Sequence, residues 1–370
     1  MASQQLTSND VRPLGVLLLS GARHQSAFAN VLSRQPGVKL IAVADEPTIP
    51  GWVREENHTL AERWDLPYTE DVAVALARPD VDLVTIGSLY SRHGPLAVQA
   101  LNAGKHVFLD KAPMAMTKEE AVGVGAAVKA AEANGQKLSY ANHVVNPTVQ
   151  RAKQAIARGE IGEPRAVFVS AIVTYGPGED PSTDPDDMWV RGLDPAWWSG
   201  GEMIHHGGYA LGVARYLMGS EITSVYAVMA GHFNRIHRDN GSEDLVTVSL
   251  GFANGGVGTL VVARAPNTAH PSYADEIVNV VGSQGAVTAD WEKPSFLLCD
   301  SEAGLSRREM FGRSDTTELA VLDFLNAVQA GRATLQGGAD GLAETAALWA
   351  AYESARTGCV IDINDWKEPG

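Results

Sequence analysis

Cysteine is nearly missing from this chain. Its 370 residues hold two, Cys299 and Cys359, too few for a disulfide framework and without the spacing of a zinc site, so a reducing interior is the expected setting. Long apolar runs are missing too. The first, "PLGVLLLSGA", is short for the core of a signal peptide and far short of a membrane span, which makes the expected location cytoplasmic. Basic residues are the minority, with 29 Lys and Arg against 44 Asp and Glu and a formal net charge of −15. A nucleic-acid surface needs clustered cations to displace counterions from phosphates, so that class of function is excluded. There is no low-complexity tract that would argue for disorder.

What remains is an ordinary globular composition, 45% hydrophobic with 37 glycines, in a chain longer than one core usually organises. Two domains are expected, residues 1–141 and 142–370, with the closing helices free to pack back on the first. From Leu14 to about Tyr140, short β-rich runs ("LGVLLL", "VKLIAVAD", "VDLVTIG", "HVFLD", "KLSYA") alternate with stretches whose apolar residues recur at helical spacing. Continuously apolar strands belong to a parallel sheet covered on both faces, so the fold class is α/β with a doubly wound, Rossmann-type first domain. After "NPTVQRAKQAIARGEIG" the rhythm changes to longer strands joined by turns, such as "DLVTVSLGF" and "GVGTLVVARA" around "ANG". This half is expected to be an α+β domain with a large, open, mainly antiparallel sheet. The segment "GPGEDPSTDPDDMWVRGLDPAWW" reads as a long loop, and such loops usually serve a site.

A dinucleotide site needs a strand, a glycine-rich turn into a helix, and an acid after the second strand to hold the ribose hydroxyls. Asp45 ends "VKLIAVAD" at close to the expected interval of about 20 residues from the turn. The turn, "LLSGARHQSAF", departs from the pattern: Ser20, Ala22 and Gln25 stand at the glycine positions, and Gly21 is displaced by one. Small residues still admit a pyrophosphate, at the loss of the backbone freedom glycine gives. Ser20, Gly21, Ala22, Arg23 and His24 are the expected phosphate-side contacts. Asp45 repels a 2′-phosphate and favours NAD over NADP, although Arg23 is close enough in sequence to offset that.

The stretch "LNAGKHVFLDKAPMAMTKEEA" resembles the strand-end lysine motif of the glucose–fructose oxidoreductase, inositol dehydrogenase and rhizopine-catabolism (Gfo/Idh/MocA) family, where an acid, Lys and Pro follow "GKHV". Upstream, "ARPDVDLVTIGSLYSRHGPLAVQALNAG" is similar to the family's fourth strand and following helix. Downstream, "RGEIGEPRAV" is similar to its entry into the second domain, "GGEMIHHGGYALGVARYLMG" to its active-site helix, and "SEDLVTVSLGFANGGVGTLV" to the sheet strands that follow. The resemblance implies a Rossmann domain followed by an open mixed sheet, and NAD(P)-linked chemistry at a carbon–oxygen bond of a sugar, polyol or related compound. It also implies an oligomer, a homodimer or homotetramer built on the second-domain sheet. By resemblance, Lys111 takes the catalytic lysine position, Asp110 the acid before it, and Ser88, His93 and Asn142 further cofactor contacts. Ala112 intervenes before Pro113, which alters the backbone that aims Lys111. On the active-site helix, His205 and Tyr209 stand where the family has Asp and His, and Gly212 replaces a later Asp.

Within that helix, His205 and Tyr209 are an i, i+4 pair on one face. Hydride loss from a carbinol needs a base for the hydroxyl proton. Tyr209 serves if a Lys111 ammonium lowers its pKa from about 10; otherwise Lys111 or His205 is the base. His206 reads as a hydrogen-bonded core residue. A zinc site is disfavoured because His205 and His206 diverge by about 100° on a helix and no third ligand accompanies them. Trp189, Trp197 and Trp198 in the preceding loop are candidate sugar-stacking faces. Arg235 and His237, with His232 and Arg238 in "HFNRIHRDNG", are candidate substrate contacts if that stretch faces the cleft, and otherwise a solvated hairpin. Three readings follow: an NAD-dependent dehydrogenase of a sugar, glycoside or cyclic polyol; an NAD-dependent glycoside hydrolase working through transient oxidation, elimination, water addition and re-reduction; or a nucleotide-binding protein without catalysis.

Overall fold

The structure, a computed structural model, describes residues 12–174, 200–266, 274–300 and 306–366. Trp189, Trp197 and Trp198 lie outside the described residues.

Six strands, β1 (Leu14–Leu19), β2 (Val38–Ala44), β3 (Tyr68–Thr69), β4 (Leu83–Ile86), β5 (His106–Leu109) and β6 (Leu138–Tyr140), form an entirely parallel sheet in the order β3-β2-β1-β4-β5-β6. The strand order reverses between β1 and β4, which opens a crevice beyond the carboxyl ends of the strands. Leu17 and Leu19 face one apolar cluster while Val16 and Leu18 face another, so β1 is buried on both sides, as its uninterrupted apolar sequence requires. Close approach of helix α1 (Gln25–Leu32) to β4 is possible because Gly87 has no side chain: a Cβ there would stand 2.7 Å from that of Gln25.

The second sheet is built from β7 (Pro164–Thr174), β8 (Ile222–Ala230), β9 (Leu245–Phe252), β10 (Val257–Ala265), β11 (Ala274–Gly282), β12 (Gly285–Asp290), β13 (Ser295–Asp300), β14 (Ser306–Met310) and β15 (Ile361–Asp362), in the order β14-β13-β12-β11-β7-β10-β9-β8-β15. The pairs are antiparallel apart from β7 with β10, so the sheet is mixed. Alternation along β9 puts Val246, Val248 and Leu250 inward. Strands β13 and β14 extend the sheet beyond the expected set. The stretch around Arg235 is not a hairpin but a short helix, Arg235–Asp239. The Asp244 carboxylate imposes this by accepting the amides of His232, Phe233 and Asn234 at 2.6–2.8 Å.

The helix Thr316–Ala330 packs Phe324 on Phe108 of the first sheet. The helix Gly338–Thr357 ties the halves together, Trp349 donating its indole N–H to Ala115 O at 2.8 Å. The outer face of the large sheet shows Phe168, Tyr226, Val228 and Val257, each at least 40% exposed. Among the described residues, no helix is long and apolar enough to cross a membrane.

Candidate active site

The crevice floor is built by strand ends. Ser20, after β1, takes the left-handed φ of 63° that glycine would supply freely, so the turn keeps its shape at a steric cost. Asp45, after β2, is buried, and burial pushes its carboxyl up against the hydrogen bonds that hold it. Asn57, from the helix Gly51–Arg63, donates to Asp45 Oδ2 (2.8 Å) and accepts the amide of Gly21 at Oδ1 (2.6 Å), fixing acid and loop together. No spacing rule pointed to Asn57.

The loop's side chains reach the other way. Arg23 does not accompany Asp45 and so offsets nothing there; its Nη2 donates to the Tyr90 hydroxyl at 2.7 Å and lies 3.0 Å from His205 Nδ1. His24 donates to Asp110 Oδ1 at 2.8 Å. Asp110 Oδ2 and Arg23 Nε are buried without a hydrogen bond among the described residues, a deficit that a polar ligand lying along the loop would remove. The small turn, the helix start behind it, the buried Asp45 and these two unsatisfied groups fit a dinucleotide. Ser88 bonds Leu89 O through its hydroxyl, and the His93 ring nitrogens face the carbonyls of Pro113 and Ser88 at 3.1 and 3.2 Å, bracing the two loops.

Lys111 is 5% exposed. Despite the intervening Ala112 it meets the second domain, its Nζ donating to His205 O (2.8 Å) and lying 5.1 Å from the Tyr209 ring centroid. Burial pushes its pKa down to about 7, the Asp110 charge opposing the fall. Lys111, His205 and Tyr209 thus come together, but not as an i, i+4 pair on an α-helix. Met203–Gly207 is a π-turn, and the α-helix begins at Gly208. His205 turns to Arg23 and to Tyr90, whose hydroxyl is 3.1 Å from Nδ1. Because Arg23 can only donate, Nδ1 is an acceptor and the ring carries its proton on Nε2. Burial, with Arg23 and Lys111 nearby, holds this imidazole well below its usual pKa.

Tyr209 stacks on His143, ring centroids 4.4 Å apart, and Trp291 stands edge-on to His143 at 5.4 Å, its indole N–H held by buried Glu276 at 2.7 Å. The expectation that Lys111 lowers the Tyr209 pKa is corrected here. Burial and the Asp110 charge drive the phenol well above its ordinary value, and the lysine approaches the ring while its hydrogen bond goes to a carbonyl. Of the two partners, Lys111 is the one tuned toward neutrality.

His206 is half-buried. Its Nδ1 donates to Glu202 Oε2 (2.6 Å), and Arg264 Nε donates to Glu202 Oε1 (2.6 Å). Glu202 is fully buried, and the Arg264 guanidinium, with the hydrogen bond from His206, holds its carboxyl below the usual range against burial. Sequence reasoning missed Glu202 and Arg264 because they lie 62 positions apart. Asn142 faces away from the loop, donating to Glu344 Oε2 at 3.2 Å and capping the amide of Val144. At Gly212 a Cβ would stand 2.4 Å from Glu344 Oε1, so a carboxyl from a distant helix fills the space beside this position. His237 is buried against Ser242 (2.8 Å) and Arg235 is an exposed partner of Asp239 (3.8 Å), so neither reaches the Lys111 cluster through any contact among the described residues.

A Rossmann sheet with a ribose-type acid, joined to an open sheet whose helix meets a buried lysine, defines a two-domain, nucleotide-dependent oxidoreductase. Residues 18–142 match the family described as "Oxidoreductase family, NAD-binding Rossmann fold", and residues 149–288 match the "GFO/IDH/MocA C-terminal domain". The chain belongs to the Gfo/Idh/MocA oxidoreductase family. It is 28% identical to an inositol 2-dehydrogenase of Rhizobium meliloti over 91% of this chain and 95% of that one. It is also 28% identical to a scyllo-inositol 2-dehydrogenase (NAD(+)) of Bacillus subtilis over 70% and 68%. A solved levoglucosan dehydrogenase, in complex with NADH and levoglucosan, shares the fold with a TM-score of 0.78 and 22% identity, over 95% of this chain and 100% of that one.

Proposed function

We propose that the protein is an NAD-dependent dehydrogenase that oxidises a ring hydroxyl of a sugar, glycoside or cyclic polyol. The observation that carries the reading is the meeting of Lys111, at the end of β5, with Tyr209 of the second domain, beside the crevice that holds Asp45. NAD, when bound, supplies the hydride acceptor. Asp45, oriented by Asn57, would hold the adenosine ribose and disfavour a 2′-phosphate, and the loop from Ser20 to His24 would hold the phosphates. Lys111 takes the hydroxyl proton; an amine with a pKa near 7 is matched to that task at neutral pH. Tyr209, His143 and Trp291 form an aromatic wall suited to the C–H face of a hydroxylated ring. The functional units divide at residues 141 and 142, copies associate through the apolar outer face of the large sheet, and the enzyme works in the cytoplasm.

The test is turnover with NAD of inositols, pyranoses and their glycosides, followed at the NADH absorbance. NADH should accumulate in step with ketone. Lys111→Ala should lower kcat by at least about 100-fold and Tyr209→Ala, which removes the ring from the wall, should raise KM and lower kcat/KM, while NAD still binds by calorimetry in both. Unchanged rates in both would remove the site assignment, and release of an aglycone with no net NADH would replace the dehydrogenase with the redox-neutral hydrolase.

A further inference from the structure

Oxidation of a hydroxyl sets free one proton per turnover, and Lys111, which receives it, is buried with its Nζ bonded to His205 O. Some neighbour must hand that proton to water. His205 is unsuited, because Nδ1 already accepts from the Arg23 and Tyr90 donors and the side chain is buried. His206 is built differently. Its Nδ1 faces a carboxylate, so Nδ1 keeps its hydrogen and the lone pair of the neutral ring sits on Nε2. Among the described residues Nε2 has no hydrogen-bond partner, and 18% of the side chain is exposed. Behind it, Glu202 is buried and anchored by Arg264, the order of groups that orients an imidazole for proton transfer and stabilises the imidazolium. Tyr209 bridges the two centres, its ring centroid 5.1 Å from Lys111 Nζ and 6.4 Å from that of His206.

We propose that His206 is the proton outlet of the active site, with Glu202 and Arg264 as its positioning residues. The inference rests on the dehydrogenase reading. In the direction of oxidation the C–H electron pair leaves as hydride to NAD, the hydroxyl proton passes to the Lys111 amine, and the ammonium returns it through one bridging water or hydroxyl to His206 Nε2. The imidazolium then loses it to solvent; reduction runs the same steps backward. The charged and titratable groups around His206 are Glu202 on the preceding residues, Arg264 from β10, Lys111 from the end of β5, His143 from the turn His143–Val145, and His205 and Tyr209 on its own segment.

His206→Asn keeps a donor for Glu202 and removes the titratable nitrogen, and His206→Gln is the second variant should the first fail to fold. Expected results are a kcat lowered about 100-fold with KM and NAD affinity little changed, recovery of rate with added imidazole, and a solvent isotope effect larger than that of the parent enzyme. Independently of turnover, nitrogen-resolved NMR of the parent protein should show the His206 ring titrating, and Glu202→Gln should move that titration down by roughly a unit or more. A variant within twofold of the parent kcat, a loss that imidazole does not restore, or a titration indifferent to Glu202→Gln overturns the outlet. If the parent enzyme oxidises no polyol with NAD, the dehydrogenase reading itself fails, an outcome distinct from an active parent with an active His206 variant.

Discussion

Glu344→Gln tests the protonation of a carboxyl buried beneath the active-site helix. Glu344 is fully buried and hydrogen-bonded to the Tyr140 hydroxyl and to Asn142 Nδ2, and burial raises its pKa from 4.5 to about 8. The folded protein therefore keeps a proton that the unfolded chain releases above 4.5. Stability from this group is complete below 4.5 and is lost as pH rises toward 8, at about 1.4 kcal/mol per pH unit. Across that interval the loss reaches about 5 kcal/mol, a large share of the stability of an ordinary domain. Glutamine has nearly the same shape, offers a donor where the neutral acid has its O–H, and does not titrate. Urea unfolding of both proteins at pH 5, 6, 7 and 8 should show a stability difference that grows in favour of Glu344→Gln by about 1.4 kcal/mol per unit and levels off above 8. A difference that stays flat or shrinks as pH rises would mean that Glu344 is ionised in the native state, and the reasoning fails.

Asp110→Asn removes the charge that holds up the Lys111 pKa. Oxidation needs the neutral amine, so the acidic limb of kcat/KM, expected near pH 7 in the parent, should move to lower pH by roughly one to three units; a pH profile in which it stays or rises contradicts Lys111 as the base. Gly212→Ala places a methyl 2.3 Å from Asn142 Nδ2 and 2.4 Å from Glu344 Oε1, and should destabilise by about 1–3 kcal/mol, read as a lower denaturation midpoint with the m-value unchanged.

The first sheet was legible because its strands are short, apolar and evenly interrupted, and Asp45 and Lys111 were legible because each ends a strand at the crevice. Long-range partners were not. Asn57 lies in an otherwise unremarkable helix, and its bond to Asp45 exists only once that helix docks. Glu202 and Arg264 become a pair through the folding of the large sheet, and Glu344 reaches Asn142 across 202 positions. The sense of the Tyr209 shift was misjudged because sequence shows that a cation stands near but not how much water is removed. Burial and the Asp110 charge outweigh the neighbouring Arg23 guanidinium, and only packing reveals that.

The π-turn at Met203–Gly207 lets consecutive histidines differ in kind. The first presents a lone pair at Nδ1 to the loop of the nucleotide domain, while the second presents its lone pair at Nε2 to the open side. Two opposite tautomers on adjacent residues give the segment a direction for protons, inward ring closed and outward ring open. Removing a single residue to restore regular α-helical winding would rotate both imidazoles together and erase that polarity without altering any side chain.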